Sequence, residues 1–226
     1  MSSFLNFAKK YKIPKIVLKL ALLLCKEADK KYIESILISE YGVGGNSNKL
    51  QRLSEEQKKI EDLIRRSDSV AVIGNAKSND EKGEIIDSYS LVIRFNRYVT
   101  DRKIYGEKKD IVVLDPSLYG EYKRTNEKII LSGYAKQYMI KGEGICCIPT
   151  KIWRTLITKT HKPPSAGLLM VQYLMTIVPP SKITIFNFTN NSSEHVTGRI
   201  ECNEAHNWLV EKAIFEQYRQ QGVRLG

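Results

Sequence analysis

Short apolar runs recur along the C-terminal two thirds of the chain, each bounded by polar or turn-forming residues: Val70–Ile73, Leu91–Phe95, Ile111–Leu114, Lys128–Leu131, Ile145–Ile148 and Thr184–Phe188. They do not alternate apolar with polar positions, so both faces of each strand need cover. That is the pattern of a mainly parallel sheet with helices on either side, an α/β fold. Residues Ala166 to Ile177 are apolar around most of a helical circumference and predict a buried helix between two strands, entered through Pro163-Pro-Ser-Ala-Gly. A last helix is expected from about Asn203 to Gln221, stopped by Gly222, with Val-Arg-Leu as a short final strand. Upstream, Ile60, Leu63 and Ile64 recur at helical spacing behind a capping box, Ser54-x-x-Gln57. The stretch Gly42-Val-Gly-Gly-Asn-Ser-Asn reads as a joint. The chain is therefore expected to divide near Arg66 into a helical basic N-terminal segment, 1–66, and an α/β domain, 67–226.

Two of the strands end on asparagine. The run Ser69-Val-Ala-Val-Ile-Gly-Asn stops at Gly74, where the backbone can approach a ligand, and Asn75 then offers both a donor and an acceptor. The second run delivers Asn96 to the same carboxyl edge, where open α/β sheets bind nucleotides. Neither a G-x-G-x-x-G nor a G-x-x-x-x-G-K-[ST] sequence is present. Ser165, at or near a helix cap, and Gly167, which has no side chain, predict an anion site at a helix N-terminus. The plain alternatives are turn-forming residues after strands for Asn75 and Asn96, and an ordinary cap for Ser165.

Three of these segments carry a family resemblance. Val72-Ile-Gly-Asn, Gly83-Glu-Ile-Ile-Asp-Ser and Val92-Ile-Arg-Phe-Asn together resemble the long sialylmotif of the animal-type sialyltransferases, which reads roughly V-V-G-N-S…G…I-D…V-x-R-x-N. Pro164-Ser-Ala-Gly-Leu-Leu-Met resembles that family's short motif, P-S-T-G before a hydrophobic helix, and His206-Asn-Trp-Leu-Val-Glu211 its H-x-x-x-x-E motif. The three fall in the family's order and cover Ser69 to the C-terminus.

The resemblance implies a single Rossmann-like nucleotide-sugar transferase domain in which Gly74, Asn75, Asn96, Ser165, Ala166 and Gly167 hold a CMP-linked sugar. Ala166 stands where the family has threonine, so one hydroxyl contact is lost. It also implies that His206 is the catalytic base, removing the acceptor proton during inversion at the anomeric carbon. A histidine in the first turn of a helix would have its protonated form disfavoured by the helix dipole, which suits that role. Glu211, about 140° around the helix from His206, is expected to anchor the helix. His195 resembles the histidine that donates to the leaving phosphate, although Val196 follows it where an aromatic residue is usual. A solvated loop histidine is its alternative reading. His161 with Lys162 could supply positive charge to the phosphate instead. Asp115, Ser117 and Tyr119 either line the pocket or form a capped turn, and Tyr119, Tyr122, Tyr134 and Tyr138 form either a sugar platform or amphipathic surface.

Composition narrows the chemistry. A formal charge of +11 over 226 residues predicts an anionic partner. The first 26 residues hold six lysines and no acid around apolar positions, so they either lie on an anionic membrane leaflet or pack on the domain with the lysines solvated. The apolar run Ile16–Cys25 is too short to span a bilayer. Cys25, Cys146, Cys147 and Cys202 form no C-x-x-C pair and read as reduced. Ser69 replaces the cysteine that the resembled family disulfide-bonds to its short motif, which implies a bacterial, cytoplasmic enzyme, associated at most with the inner membrane face. No D-x-D occurs, and a CMP-sugar releases a monophosphate that protein donors can hold, so no metal and no cofactor are expected. The donor would be CMP-sialic acid or CMP-Kdo, and the acceptor a glycan or a bacterial surface glycolipid such as lipooligosaccharide. The competing class is a non-enzymatic basic protein binding nucleic acid or membrane. It would leave the paired asparagines and His206 unexplained, and no RNA-recognition, zinc-finger or clear helix-turn-helix signature supports nucleic acid as a partner.

Overall fold

The computed structural model describes residues 47–122, 127–132, 145–188, 195 and 206–226. Its centre is a seven-stranded sheet comprising β1 (Val70–Ile73), β2 (Leu91–Phe95), β3 (Ile111–Leu114), β4 (Lys128–Leu131), β5 (Ile145–Cys147), β6 (Ile183–Phe186) and β7 (Arg224–Leu225). Every pairing is parallel and the order is β5-β4-β3-β2-β1-β6-β7. The expected α/β class with a parallel sheet is what the chain adopts. From β1 the chain works outward to β5 at one edge, then crosses back to place β6 on the other side of β1. Strand order therefore reverses between β1 and β6, where crevices open at the carboxyl ends of such sheets.

The inner strands β1, β2, β3 and β6 are buried on both faces because alternate residues feed different layers, whereas both residues of the edge strand β7 are exposed. Val70 and Val72, with Ile93, Ile111, Val113 and Ile130, meet a layer built from α1 (Ser47–Arg66), α4 (Thr150–Thr160), α5 (Ala166–Leu174) and α6 (Trp208–Gln220). Ala71, Ile73 and Val92 face the opposite side with Ile86 of the short α2 (Gly83–Asp87), and Val112, Leu114 and Leu131 with Tyr119 of α3 (Tyr119–Tyr122).

Helix boundaries differ from expectation where tertiary contacts override local signals. The helix α1 begins at Ser47, upstream of the Ser54 capping box. Its Ile60 and Ile64 enter the main core, and Tyr173 Oη donates to Glu61 Oε1 at 2.7 Å. Burying two isoleucines contributes roughly 1.5–3 kcal/mol each. The helix α5 ends at Leu174 rather than Ile177, and α6 begins at Trp208, residues 203–205 lying outside those described. The pattern reading missed α4, although Ile152, Trp153, Leu156 and Ile157 form a buried stripe at helical spacing. Among the described residues no helix is long and apolar enough to cross a membrane.

Much of the long motif is scaffold. Arg94 on β2 is 1% exposed. Its guanidinium donates to the carbonyls of Lys108 (2.9 Å), Tyr105 (2.8 Å) and Gly106 (3.1 Å). Burial lowers its pKa from the usual guanidinium value, and the nearby charge of Asp87 works against that shift. Asp87 in turn accepts the backbone N–H groups of Glu107 and Lys108, both within 2.8 Å. A side chain at Gly83 would strike the carbonyl of Arg102. Together these residues clamp the loop between β2 and β3 against the sheet.

Candidate donor and catalytic site

The carboxyl ends of β1, β2 and β3 are laced together by the two asparagines. Asn75 Nδ2 donates to the carbonyl of Phe95 at 2.9 Å, bridging the first two strands. Asn96 adopts a left-handed conformation, φ 47°, which asparagine tolerates better than most residues. Its N–H donates to the Val113 carbonyl (2.9 Å), its Oδ1 accepts the N–H of Asp115 (2.8 Å), and its own carbonyl accepts from Tyr122 Oη (2.6 Å). The Asn75 Oδ1 and Asn96 Nδ2 atoms remain for other partners.

The two glycines make room for the protein itself. A Cβ on Gly74 would collide with the Asn187 carbonyl oxygen and come within 2.9 Å of Phe188 Cδ2, while a Cβ on Gly167 would collide with Phe188 Cε1. The Phe188 ring, just past β6, thus lies against both glycines and packs edge-on to Phe95 (6.0 Å between centroids) and tilted to Phe215 (5.4 Å). It draws the β1 end, the β2 end and the start of α5 to one place. The sequence reading gave Phe188 no role beyond ending a strand. Gly167→Ala is expected to lower stability by ~1–3 kcal/mol through overpacking. Thermal melts should show Phe188→Leu in the same chain recovering part of that loss, and a melting point unchanged in the single variant would refute this packing.

Direction of chain brings in the helix end. Because α5 precedes a parallel strand, it runs opposite to the sheet and presents its N-terminus at the strands' carboxyl edge. Ser165 is its N-cap, with extended backbone, and its Oγ accepts the N–H of Leu168 at 3.2 Å. Ala166 and Gly167 are the first helical residues, whose N–H groups lack an intrahelical acceptor. The Ser165 N–H donates to Glu211 Oε1 at 2.8 Å. That carboxylate, 0% exposed, lies in the first turn of α6 and joins the N-terminal ends of two helices, where both dipoles favour negative charge.

His206 stands two residues before α6, not on its first turn as the sequence reading placed it. Its Nδ1 lies 2.8 Å from the Pro163 carbonyl and its ring packs edge-on against Trp208, 4.9 Å between centroids. A carbonyl can only accept, so in the neutral imidazole Nδ1 carries the proton and Nε2 keeps the lone pair. Asn207 Nδ2 donates to the Thr160 carbonyl at 2.9 Å, pinning the entry to α6 onto the link between α4 and α5. His195 forms an antiparallel bridge with Ala76, next to Asn75.

Every candidate residue therefore sits on segments at the carboxyl edge of the sheet, around the β1/β6 reversal. Direct contacts join them in subsets: Asn75 to the β2 end, Gly74 to Gly167 through Phe188, His206 to the residue preceding Pro164-Ser165, and His195 to the end of β1. His161 caps α4 in a left-handed conformation, φ 55°, and is exposed, as is Lys162. Asp115 caps a turn, accepting the Ser117 N–H (2.9 Å) and Oγ–H (2.6 Å), while Tyr119 is buried. Burial raises the Tyr122 hydroxyl pKa, keeping it a donor to Asn96. Tyr134, Tyr138, Cys25 and Cys202 lie outside the described residues. Cys146 and Cys147 are buried free thiols, the former with its pKa pushed up by burial. Among the described residues no three His, Cys, Asp or Glu side chains come together as a metal-ligand set.

No family model matches the chain, and no curated protein does. Solved structures do. A mammalian sialyltransferase in complex with Gal-β-1-3GalNAc-ortho-nitrophenol is 14% identical and superposes with a TM-score of 0.63 over 91% of this chain and 88% of that one. A second mammalian sialyltransferase structure, also 14% identical, gives 0.59 over 89% and 86%. The fold of this chain is thus that of the sialyltransferases.

Proposed function

We propose that this chain is an inverting glycosyltransferase that moves a 2-keto sugar acid, sialic acid or Kdo, from its CMP donor to a glycan acceptor. The observation that carries the reading is the meeting of the α5 N-terminus, capped by Ser165, with the asparagine-bearing strand ends and His206, whose Nδ1 bonds the Pro163 carbonyl, at one sheet edge. The phosphate of CMP would lie on the N–H groups of Ala166 and Gly167, with Asn75 and Asn96 holding the nucleoside. His195, beside Ala76, would donate to the departing phosphate oxygen. His206 Nε2 would accept the acceptor hydroxyl proton as that oxygen attacks the anomeric carbon and the bond to CMP breaks. Charge released on the phosphate is then held by dipoles already oriented toward it. On this reading no divalent cation takes part, and the acceptor is a bacterial surface glycolipid reached at the cytoplasmic face of the inner membrane.

Calorimetric titration with CMP, UDP and GDP, with and without EDTA, tests this. CMP is expected to bind at least tenfold more tightly than the others, with EDTA making no difference. A preference for UDP or GDP, or loss of CMP binding with EDTA, would remove the proposal.

A further inference from the structure

The segment that leaves β1, Asn75-Ala-Lys-Ser-Asn-Asp-Glu-Lys82, carries no apolar side chain larger than Ala76. Such a polar loop has little packing of its own to fix it, so its backbone groups depend on partners from elsewhere. Both ends have them. Gly74 and Ala76 donate their N–H groups to the carbonyls of Phe186 (2.7 Å) and Asn187 (3.3 Å), and Gly83 donates to the carbonyl of Lys103 (2.7 Å). In the middle, a single side-chain atom serves both backbone groups of Ser78. Tyr105 Oη accepts the Ser78 N–H and donates to the Ser78 carbonyl, each at 3.1 Å.

That hydroxyl stands on a fixed base. Tyr105, 8% exposed, lies in the loop between β2 and β3, where an antiparallel bridge joins Asp101 to Gly106. Its N–H donates to the Asp101 carbonyl (3.0 Å), and its carbonyl accepts from the Arg94 guanidinium (2.8 Å). The buried guanidinium therefore acts, through one tyrosine, on a loop that lies 27 residues back along the chain from Tyr105.

We propose that Tyr105 is a positioning residue for the donor site. The loop it holds begins with Asn75, whose amide bridges to the β2 end through the Phe95 carbonyl, and with Ala76, which is bridged to His195. Tied down at Ser78, the loop keeps both in place at the sheet edge, so a ligand entering there does not have to order them and binds more tightly for it. This role rests on the function proposed above, whereas the bonds from the hydroxyl to Ser78 do not.

Tyr105→Phe keeps the ring and removes only the hydroxyl. In the full chain its Ser78 amide should exchange with deuterium at least about tenfold faster than in wild type. By calorimetry CMP should bind it about three- to tenfold more weakly, the range that one net hydrogen bond contributes. The matched control is Tyr173→Phe, which deletes the hydroxyl bonded to Glu61 near the end of α5 far from Ser165. It should lower the melting point by a similar amount while leaving Ser78 exchange and CMP affinity at wild-type values. Three results would overturn the proposal: unchanged Ser78 exchange in Tyr105→Phe, faster exchange with unchanged CMP affinity, or equal losses of affinity in both variants. Failure of wild type to bind CMP would overturn the function proposed above and the positioning role with it. The exchange measurement would still read the tether in that case, so the two failures are told apart.

Discussion

With CMP-sialic acid or CMP-Kdo as donor, His206→Ala is expected to bind CMP within about twofold of wild type while its turnover falls by roughly 10²–10⁴, the range that a positioned general base supplies. Position and proton transfer can be separated at this residue. In His206→Asn the side-chain amide can still donate to the Pro163 carbonyl, now bonded to Nδ1 at 2.8 Å, but has no group that takes a proton. The asparagine variant should keep the wild-type melting point and CMP affinity and remain inactive. Full turnover by the asparagine variant would show that His206 serves only to pin the entry of α6.

The second large effect concerns stability. Arg94→Met replaces a buried, triply hydrogen-bonded guanidinium with an apolar chain of similar length. It strands the Tyr105, Gly106 and Lys108 carbonyls and removes a positive charge that interacts with Asp87. Removing one member of such a buried network costs ~3–5 kcal/mol. At about 2–4 °C per kcal/mol for a chain of this size, the melting point should drop by roughly 6–20 °C. Asp87→Asn should cost less, because its oxygen can still accept one of the two backbone N–H groups. In a double-mutant cycle the two changes should be markedly non-additive, since they share one loop. A loss below about 1 kcal/mol for Arg94→Met would mean that the loop between β2 and β3 is not held by this clamp.

Strand positions were legible because a strand buried on both faces has to be an unbroken apolar run, and β1 through β4 lie where those runs lie. Three ends moved: β5 stops at Cys147, one residue short of Ile148, and β6 runs from Ile183 to Phe186 rather than from Thr184 to Phe188. Val-Arg-Leu as a final strand and the start of α5 at Ala166 were equally readable, the first from Gly222 and the second from the proline-serine entry. Helix limits were less so. A capping box at Ser54 is worth about 1 kcal/mol and does not stop a helix whose further turns continue upstream. The helix α4 went unseen because its apolar positions come in pairs on one side of a short, lysine-rich segment.

The candidate site divides in the same way. Residue types and spacing by themselves determined the α/β class, the asparagines at two strand ends and the serine cap, since each is a local preference of backbone or side chain. Tertiary structure alone decided the strand order that reverses at β1 and β6, and with it which termini meet. It also decided that Phe188 occupies the space left by Gly74 and Gly167, that Arg94 and Asp87 clamp a loop rather than face a ligand, and that Glu211 joins two helix ends. Those outcomes depend on contacts between segments distant in the chain, where packing and the pairing of buried polar groups outweigh any preference a single segment carries.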